Sequence, residues 1–490
     1  MIIQSFSTGQ NGPFESPFAI APGLNEKPQG HITVLIGENG TRKSLALSML
    51  MTGALDQKKY NGHGYSPLAV DLAWEGRKPS RVVAVSLTPW DRFPRSRALT
   101  ELSTSIPGLG YQFVYIGPRS RHGAVSTRYS EATFGAVIME NCISFQERAE
   151  TLAPIFERLE LFPAVGIRFA ARWGTQRTPI RATDDSVARL RAVVKQRART
   201  VDRSLDFSEH WKRTIAEFAA KIEADDTALE FLVSSLNQAR SPRLSCWITP
   251  NGPKFLRGYK SIADWRCALY LGLFEVDGVY FSSNGTTFPT DPKEAVRESD
   301  LSSGQWSWLF NLTSLCVALD DDSLVLIDEP ENSLHPSWQR DFIATLSGIL
   351  KSCERCHAVV ATHSALIASG VRDGIGNVRC LSLREQTFAN GSRKETSVSE
   401  KPTSNTYGAQ VDDVYRELFN LPSTRTPEFM ARIDGLLALI GDAKGQRPIV
   451  PAEDVEYIEA ARERLPTHDP LRHILGAIAE SVVSDKGEMK

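Results

Sequence analysis

A run of apolar, β-branched residues that passes directly into a glycine-rich loop and then a helix-forming segment leaves a chain few folds to choose from. His31-Ile-Thr-Val-Leu-Ile36 has the composition of a buried strand, Gly37-Glu38-Asn39-Gly40-Thr41-Arg42-Lys43-Ser44 follows without a break, and Leu45-Ala-Leu-Ser-Met-Leu50 continues as a helix. Strand, glycine loop and helix in that order form a phosphate-binding context. Backbone N–H groups and the positive end of the helix would surround a triphosphate. Lys43 is expected to reach the β- and γ-phosphates of ATP, and the Ser44 hydroxyl to ligate Mg2+. The pattern G-x-x-x-x-G-K-[ST] breaks once, because Arg42 stands where the last glycine belongs. A side chain there either crowds the loop or adds a cation near the phosphates.

More than half the chain later come the residues that would complete such a site. Leu301-Ser302-Ser303-Gly304-Gln305 places small residues and a glycine at the start of a helix, where N–H groups and a serine hydroxyl can bind a γ-phosphate offered by a second copy. Leu324-Val-Leu-Ile327 then reads as a short apolar strand ending in Asp328-Glu329-Pro330. Asp328 is expected to hold Mg2+ and Glu329 to polarise the attacking water as general base. A turn after a strand would not by itself call for two adjacent acids followed by proline. A further strand, Ala358-Val-Val-Ala361, ends in Thr362-His363-Ser364, and a histidine there can hydrogen-bond the γ-phosphate and position the water.

Composition sets the remaining limits. With 490 residues, 41% hydrophobic and 23% charged, the chain has the make-up of an ordinary globular protein of up to about three domains. No apolar run reaches the roughly 18 residues of a membrane span, and Met1-Ile-Ile-Gln-Ser-Phe6 lacks the basic and apolar regions of a secretory signal. Seven scattered cysteines, an odd number, suit reduced thiols, so a cytoplasmic protein without a membrane partner is expected. Cys353-x-x-Cys356-His357 has no second ligand pair at zinc spacing. The net charge is −2, yet between Val165 and Arg213 there are 12 Lys and Arg against 5 Asp and Glu. That window is either a solvated helix face or an electrostatic footprint for nucleic acid or an acidic partner; Arg119, Arg121 and Arg128 precede it and would extend it. No zinc-finger, homeodomain or RNA-binding signature accompanies it.

Taken together, the loop, the signature, the acidic strand and the Thr-His-Ser switch resemble the ATP-binding-cassette (ABC) ATPases. The likeness is closer to the soluble chromosome-maintenance (SMC) and RecF-like branch than to transporter subunits. That branch typically follows the acidic strand with Ser-Leu-His-Pro, as at Ser333 to Pro336, where transporter subunits usually carry Ala-Leu-Asp. Val82-Val-Ala-Val-Ser86-Leu-Thr-Pro-Trp-Asp-Arg-Phe-Pro94 with Tyr115-Ile-Gly-Pro-Arg119, and Thr406 to Phe419, also look like ATPases of bacterial anti-phage systems of the Septu-like and retron-associated kind. The ATPase likeness covers roughly residues 30–120 and 260–390. Besides Arg42, it departs from the family at the glutamine usual after an early strand: Gln112 starts Tyr111-Gln-Phe-Val-Tyr-Ile116, and Gly117-Pro118-Arg119 occupies the expected place.

The resemblance implies an α/β P-loop NTPase fold, an ABC-type two-lobed ATPase head with a helical insertion and a helical C-terminal appendage. The boundaries expected are 1–120 for the N-lobe, 121–258 for a mainly helical insertion, 259–395 for the C-lobe and 396–490 for the tail. In the insertion, Thr183 reads as an N-cap followed by Val187, Leu190, Val194, Ala198, Val201 and Leu205 at helical spacing. Ile215, Phe218 and Ile222, then Leu229, Leu232 and Leu236, suggest two more helices. In the tail, Phe429 to Ile440 and Val455 to Arg464 read as short amphipathic helices. Two heads would close as a homodimer around ATP, with Gly37, Glu38, Asn39, Gly40, Thr41, Arg42, Lys43 and Ser44 of one copy facing Ser303 and Gly304 of the other. Such a switch would control a separate effector, a nuclease, because no nuclease signature is present in the chain itself. The alternatives are an ATP-binding scaffold with little turnover, supported by Arg42, a transporter motor subunit, and a DNA-repair ATPase.

Overall fold

The computed structural model describes residues 1–9, 12–24, 29–55, 68–86, 92–93, 113–117, 127–172, 184–203, 209–285, 287–387, 393–402, 406–419, 423, 425–442, 447–467 and 469–485. The chain separates into two compact units, Met1–Phe419 and Asn420–Lys490.

The first unit is built on a seven-stranded sheet. Its order is Arg393–Glu400, Gly376–Thr387, His31–Gly37, His357–Thr362, Ser323–Asp328, Arg81–Ser86 and Phe113–Ile116. All neighbours are parallel except the first pair, which is antiparallel. The three strands predicted from apolar runs therefore lie side by side. His31–Gly37 and Ser323–Asp328 are buried along their whole length, as strands covered on both faces must be. The helix Lys43–Ala54 and the helix Ser303–Ala318 are buried over most of their residues, so they are core elements, not amphipathic surface helices.

Register places the site. Ile36 pairs with Thr362, and Ala361 with Asp328, so the glycine loop, the acidic pair and the switch histidine all emerge at one edge of the sheet. Parallel sheets collect ligands at the carboxyl ends of their strands, and here three such ends are adjacent.

The insertion carries strands as well as helices. Its three predicted helices are present, as Asp184–Asp202, Glu209–Ala224 and Asp226–Gln238; Thr183 lies outside the described residues. However, Phe162–Ala171, Cys246–Thr249 and Gly252–Phe255 also form strands. They join Phe274–Ser282 and Val296–Arg297 in a five-stranded antiparallel sheet. This sheet crosses the boundary drawn at residue 258, because the ten-residue strand Phe162–Ala171 pairs with a strand beyond it. Aromatic packing ties the sheet to the signature helix: Phe134 contacts Phe281, Trp306 and Phe310, and Trp306 donates its indole N–H to Ser130 at 3.2 Å. The boundary at residue 395 also moves, since strand Arg393–Glu400 and helix Val411–Leu418 belong to the first unit.

The second unit holds helices Pro427–Asp442, Ala452–Arg464 and Pro470–Ser481, and a two-stranded parallel pairing of Ile449–Pro451 with Val483–Asp485. It has its own core of Ile433, Leu436, Val450, Ile458, Leu471, Leu475 and Ile478. Ile458→Ala removes a fully buried side chain from that core and should cost roughly 2–5 kcal/mol there. In a calorimetric scan it should lower one transition and leave that of the first unit in place; a uniform shift of a single transition would contradict two separate cores.

Candidate functional site

The glycine loop is held by its own side chains. Thr41 donates its hydroxyl to the Glu38 carbonyl at 2.8 Å, and Gly40 takes φ 84, a value that favours glycine. Gly37 meets a close approach instead, since a Cβ there would sit 2.4 Å from the Leu381 carbonyl oxygen. Arg42 also takes a left-handed conformation, φ 71, so the backbone keeps the shape that a glycine would supply. Its guanidinium neither folds into the loop nor lines it: Nη1 donates to the carbonyls of Pro13 at 3.1 Å and Glu395 at 3.2 Å.

Lys43 is buried, with Nζ donating to the carbonyls of Gly37 at 2.8 Å and Glu38 at 2.9 Å. The same nitrogen lies 3.4 Å from Nδ1 of His363, joining the loop to the switch strand. Burial pushes the Lys43 ammonium down from 10.5 to about 8, against the opposing pull of Glu331, Glu329 and Asp328. Burial, and then the Lys43 charge, hold His363 below the ordinary histidine range, so a neutral ring can accept from Lys43.

The acidic strand closes the other side. Ser44 donates its hydroxyl to Asp328 Oδ1 at 2.9 Å, and Asp328 is 2% exposed. This pairs a hydroxyl and a carboxylate, the hard oxygen donors that Mg2+ selects, next to a loop shaped for phosphates; the residues fit the ion. Glu329 lies just beyond the strand in a left-handed conformation, φ 49, with its N–H bonded to the Ala361 carbonyl at 2.8 Å. Such a conformation costs a non-glycine residue roughly 1–2 kcal/mol. It is held by that backbone bond and by Asn332, whose amide donates to Glu329 Oε2 at 2.9 Å.

No role in holding Thr362 and His363 was expected of Glu331 from the sequence, yet it binds both. Its carboxylate accepts from Thr362 Oγ1 at 2.7 Å and from the His363 N–H at 2.5 Å. Burial raises its pKa while those bonds oppose the rise. Only its closeness to the acidic pair in sequence gave any sign of it.

The signature forms the expected helix start. Ser302 caps Ser303–Ala318, its hydroxyl accepting from the Gln305 N–H at 3.3 Å while the Gln305 side chain accepts from the Ser302 N–H at 2.8 Å. Ser302 and Ser303 are exposed. Gly304 is buried against the Ser333 turn, where an added Cβ would meet the Ser333 carbonyl oxygen at 2.4 Å. His335 caps the helix Pro336–Leu350. So the structure brings Lys43, Ser44, Asp328, Glu329 and His363 together, whereas Gly304 approaches the Ser333 turn. Gln112, Arg119 and Arg121 lie outside the described residues, as does the side chain of Arg128.

The basic window reads differently in three dimensions. Arg168 pairs with Asp277 at 2.7 Å, Arg172 with Glu275 at 3.2 Å, Lys195 with Glu223 at 2.5 Å, and Arg191 with Asp226. These acids lie outside residues 165–213, so a local charge count missed them. Arg197 donates to the carbonyls of Leu271 and Gly272. Arg189, Arg199, Arg203 and Arg213 are exposed, and Arg177 and Arg181 lie outside the described residues. Among the described residues no helix is long and apolar enough to cross a membrane.

Comparison with known proteins agrees in part. A family model described as "AAA domain, putative AbiEii toxin, Type IV TA system" matches residues 179–369, less than half of the chain. The match contains the signature, the acidic pair and His363, and leaves the loop Gly37–Ser44 outside. The chain is also similar to protein ea59 of Escherichia phage lambda, 41% identical over 71 residues; that stretch is 14% of this chain and 13% of the phage protein. Among solved structures, an SMC head bound to the C-terminal winged-helix domain of ScpA aligns over 81% of this chain and 98% of its own, at 12% identity and a TM-score of 0.29. An SMC head with an extended coiled coil, bound to a ScpA domain derived from Pyrococcus furiosus, aligns over 81% of this chain and 96% of its own, at 10% identity and 0.26. Scores this low carry no inference about this chain. The α/β P-loop fold stands on the parallel sheet, its loop–helix junction and the family match.

The desolvated lysine has a measurable consequence. Its folded pKa, about 8, lies below the unfolded value of 10.5, so between those pH values the unfolded chain holds more protons. Stability of the ligand-free protein should therefore rise as pH increases through that window. Lys43→Met should flatten the rise in thermal melts; an unchanged pH profile in the variant would contradict a lysine strained by burial.

Proposed function

We propose that the chain is an ABC-type ATPase head that binds ATP with Mg2+, hydrolyses it, and works as a nucleotide-gated dimeric switch. The observation that carries the reading is the contact of Ser44 with Asp328, beside Lys43 and His363, at three aligned strand ends. In this reading Lys43 turns from the Gly37 and Glu38 carbonyls to the β- and γ-phosphates. The N–H groups of residues 38–44 surround the phosphates. Ser44 and Asp328 would hold Mg2+, which would supply charge neutralisation on the triphosphate. Glu329, kept in place by Asn332, takes a proton from the attacking water, and neutral His363 hydrogen-bonds the γ-phosphate. Product release frees the site as ADP and phosphate. Glu331 fixes the backbone of the switch without touching the reacting atoms.

The exposed Ser303, at the start of a 16-residue helix, supports the dimer. With Gly304 it would meet the γ-phosphate on a second copy, so that two ATP molecules join two heads. Resemblance supports the wider role: an ATPase or sensor subunit of a bacterial anti-phage complex that controls a separate effector nuclease in the cytoplasm. The partial match to a domain described as a putative AbiEii toxin of a Type IV toxin–antitoxin system supports that reading. Nucleic acid, if it binds this chain directly, would meet the exposed arginines of residues 189–213.

Phosphate release tests the chemistry. Wild-type protein should turn over ATP, and Glu329→Gln should lose at least about a hundredfold, in line with removal of a general base. In ATP the variant should elute from a sizing column as a larger species. Binding without turnover in either protein would favour a scaffold, and turnover that survives the substitution would remove Glu329 from its role.

A further inference from the structure

Arg42 stands where a phosphate loop ordinarily has glycine, and its surroundings show how the loop adapts. A left-handed arginine is disfavoured by roughly 1–2 kcal/mol relative to glycine. The side chain is anchored at its far end on two carbonyls: Pro13, in the N-terminal segment, and Glu395, on the edge strand Arg393–Glu400. One residue earlier in the loop, Thr41 is anchored to the same strand. Its carbonyl accepts the Ser397 hydroxyl at 2.5 Å, and Ser397 is fully buried.

Ser397 is the hub of this arrangement. Its N–H donates to Pro13 O at 2.9 Å, and its carbonyl accepts from the Glu15 N–H at 2.9 Å, beside a bridge to Phe14. Pro13 O thus receives both Ser397 and Arg42. Two consecutive loop residues are tied, through side chains, to one segment of strand some 350 residues away in sequence.

Planarity makes the tie directional. A trans peptide points its C=O and its N–H to opposite sides. With the Thr41 carbonyl turned toward Ser397, the N–H of Arg42 in the same peptide plane must point away from it. We infer that Ser397 and Arg42 are positioning residues for the phosphate loop: they fix the Thr41–Arg42 peptide so that its N–H is preset to receive a phosphate oxygen, and they make the nucleotide site depend on the edge strand Arg393–Glu400. The loop obtains from this tether the conformation that other loops obtain from a glycine. Arg42 accordingly acts on the loop from behind and does not supply a phosphate-binding cation. This inference rests on the ATP-binding reading of the same loop.

The experiment is equilibrium binding of a fluorescent ATP analogue with Mg2+ to the full chain, beside steady-state phosphate release. Four variants are needed: Ser397→Ala, Ser397→Thr, Arg42→Gly and Arg42→Lys. Ser397→Ala removes only the tethering hydroxyl and should weaken binding about five- to tenfold, the size of one lost hydrogen bond. KM should rise while kcat at saturating ATP changes little, a split that general loss of folded protein would not produce. Ser397→Thr keeps the hydroxyl and should restore binding. Arg42→Gly restores the common motif yet should bind more weakly, and Arg42→Lys should stand between it and wild type. Melting temperatures of all four separate unfolding from loop effects, and Arg42→Gly guards against a Ser397→Ala variant that does not fold. Variants that bind within twofold of wild type, or an Arg42→Gly that binds more tightly, overturn the tether while leaving the ATPase reading intact. A wild-type chain that does not bind the analogue overturns both.

Discussion

The hydrogen bond between Ser44 and Asp328 links residues 284 apart and closes the proposed nucleotide site. It can form only because His31–Gly37, His357–Thr362 and Ser323–Asp328 are neighbours in register. A shift of one residue between any two of these strands would move Asp328 or His363 by about 3.3 Å and turn it to the opposite face. Full burial of the three strands fixes that register, since slipping would leave Val325, Ile327, Val359 or Val360 without their partners on either face of the sheet. The proposed chemistry therefore depends on apolar packing outside the site itself.

The site also stores electrostatic work. Lys43 is buried with its own backbone carbonyls for partners, close to Asp328, Glu329 and Glu331. Desolvation outweighs those carboxylates, which is why the ammonium is destabilised despite three acids nearby. A triphosphate would bring the charge that burial denies it, so phosphate binding and relief of desolvation act in the same direction. Glu331 shows the converse case, a buried carboxylate whose cost is offset by two hydrogen bonds from the switch.

Much of this was legible in the sequence because the signals were local. A strand, a loop and a helix in one stretch, or two acids at a strand end, depend on neighbours within a few residues. The three helices of the insertion followed from apolar spacing for the same reason. What escaped depends on distant pairing. Phe162–Ala171 is a strand because Phe274–Ser282 lies beside it, and no local period records that. The charge count of the basic window changed once Asp277, Glu275, Asp226 and Glu223 came close to four of its cations. Ser397 carries no motif at all, yet it grips the loop. Arg42 left two readings open in the sequence, a crowded loop or an added cation, and its two distant carbonyls explain how the loop keeps its shape.

The most direct test of the central claim is a crystal structure of the full chain with Mg2+ and a slowly hydrolysed ATP analogue. The account predicts a triphosphate cradled by residues 37–44, the ion between the Ser44 hydroxyl and Asp328, and Ser303 of a second copy at the γ-phosphate. A nucleotide bound away from the three strand ends, or a filled loop with Asp328 and His363 turned away from it, would contradict the account.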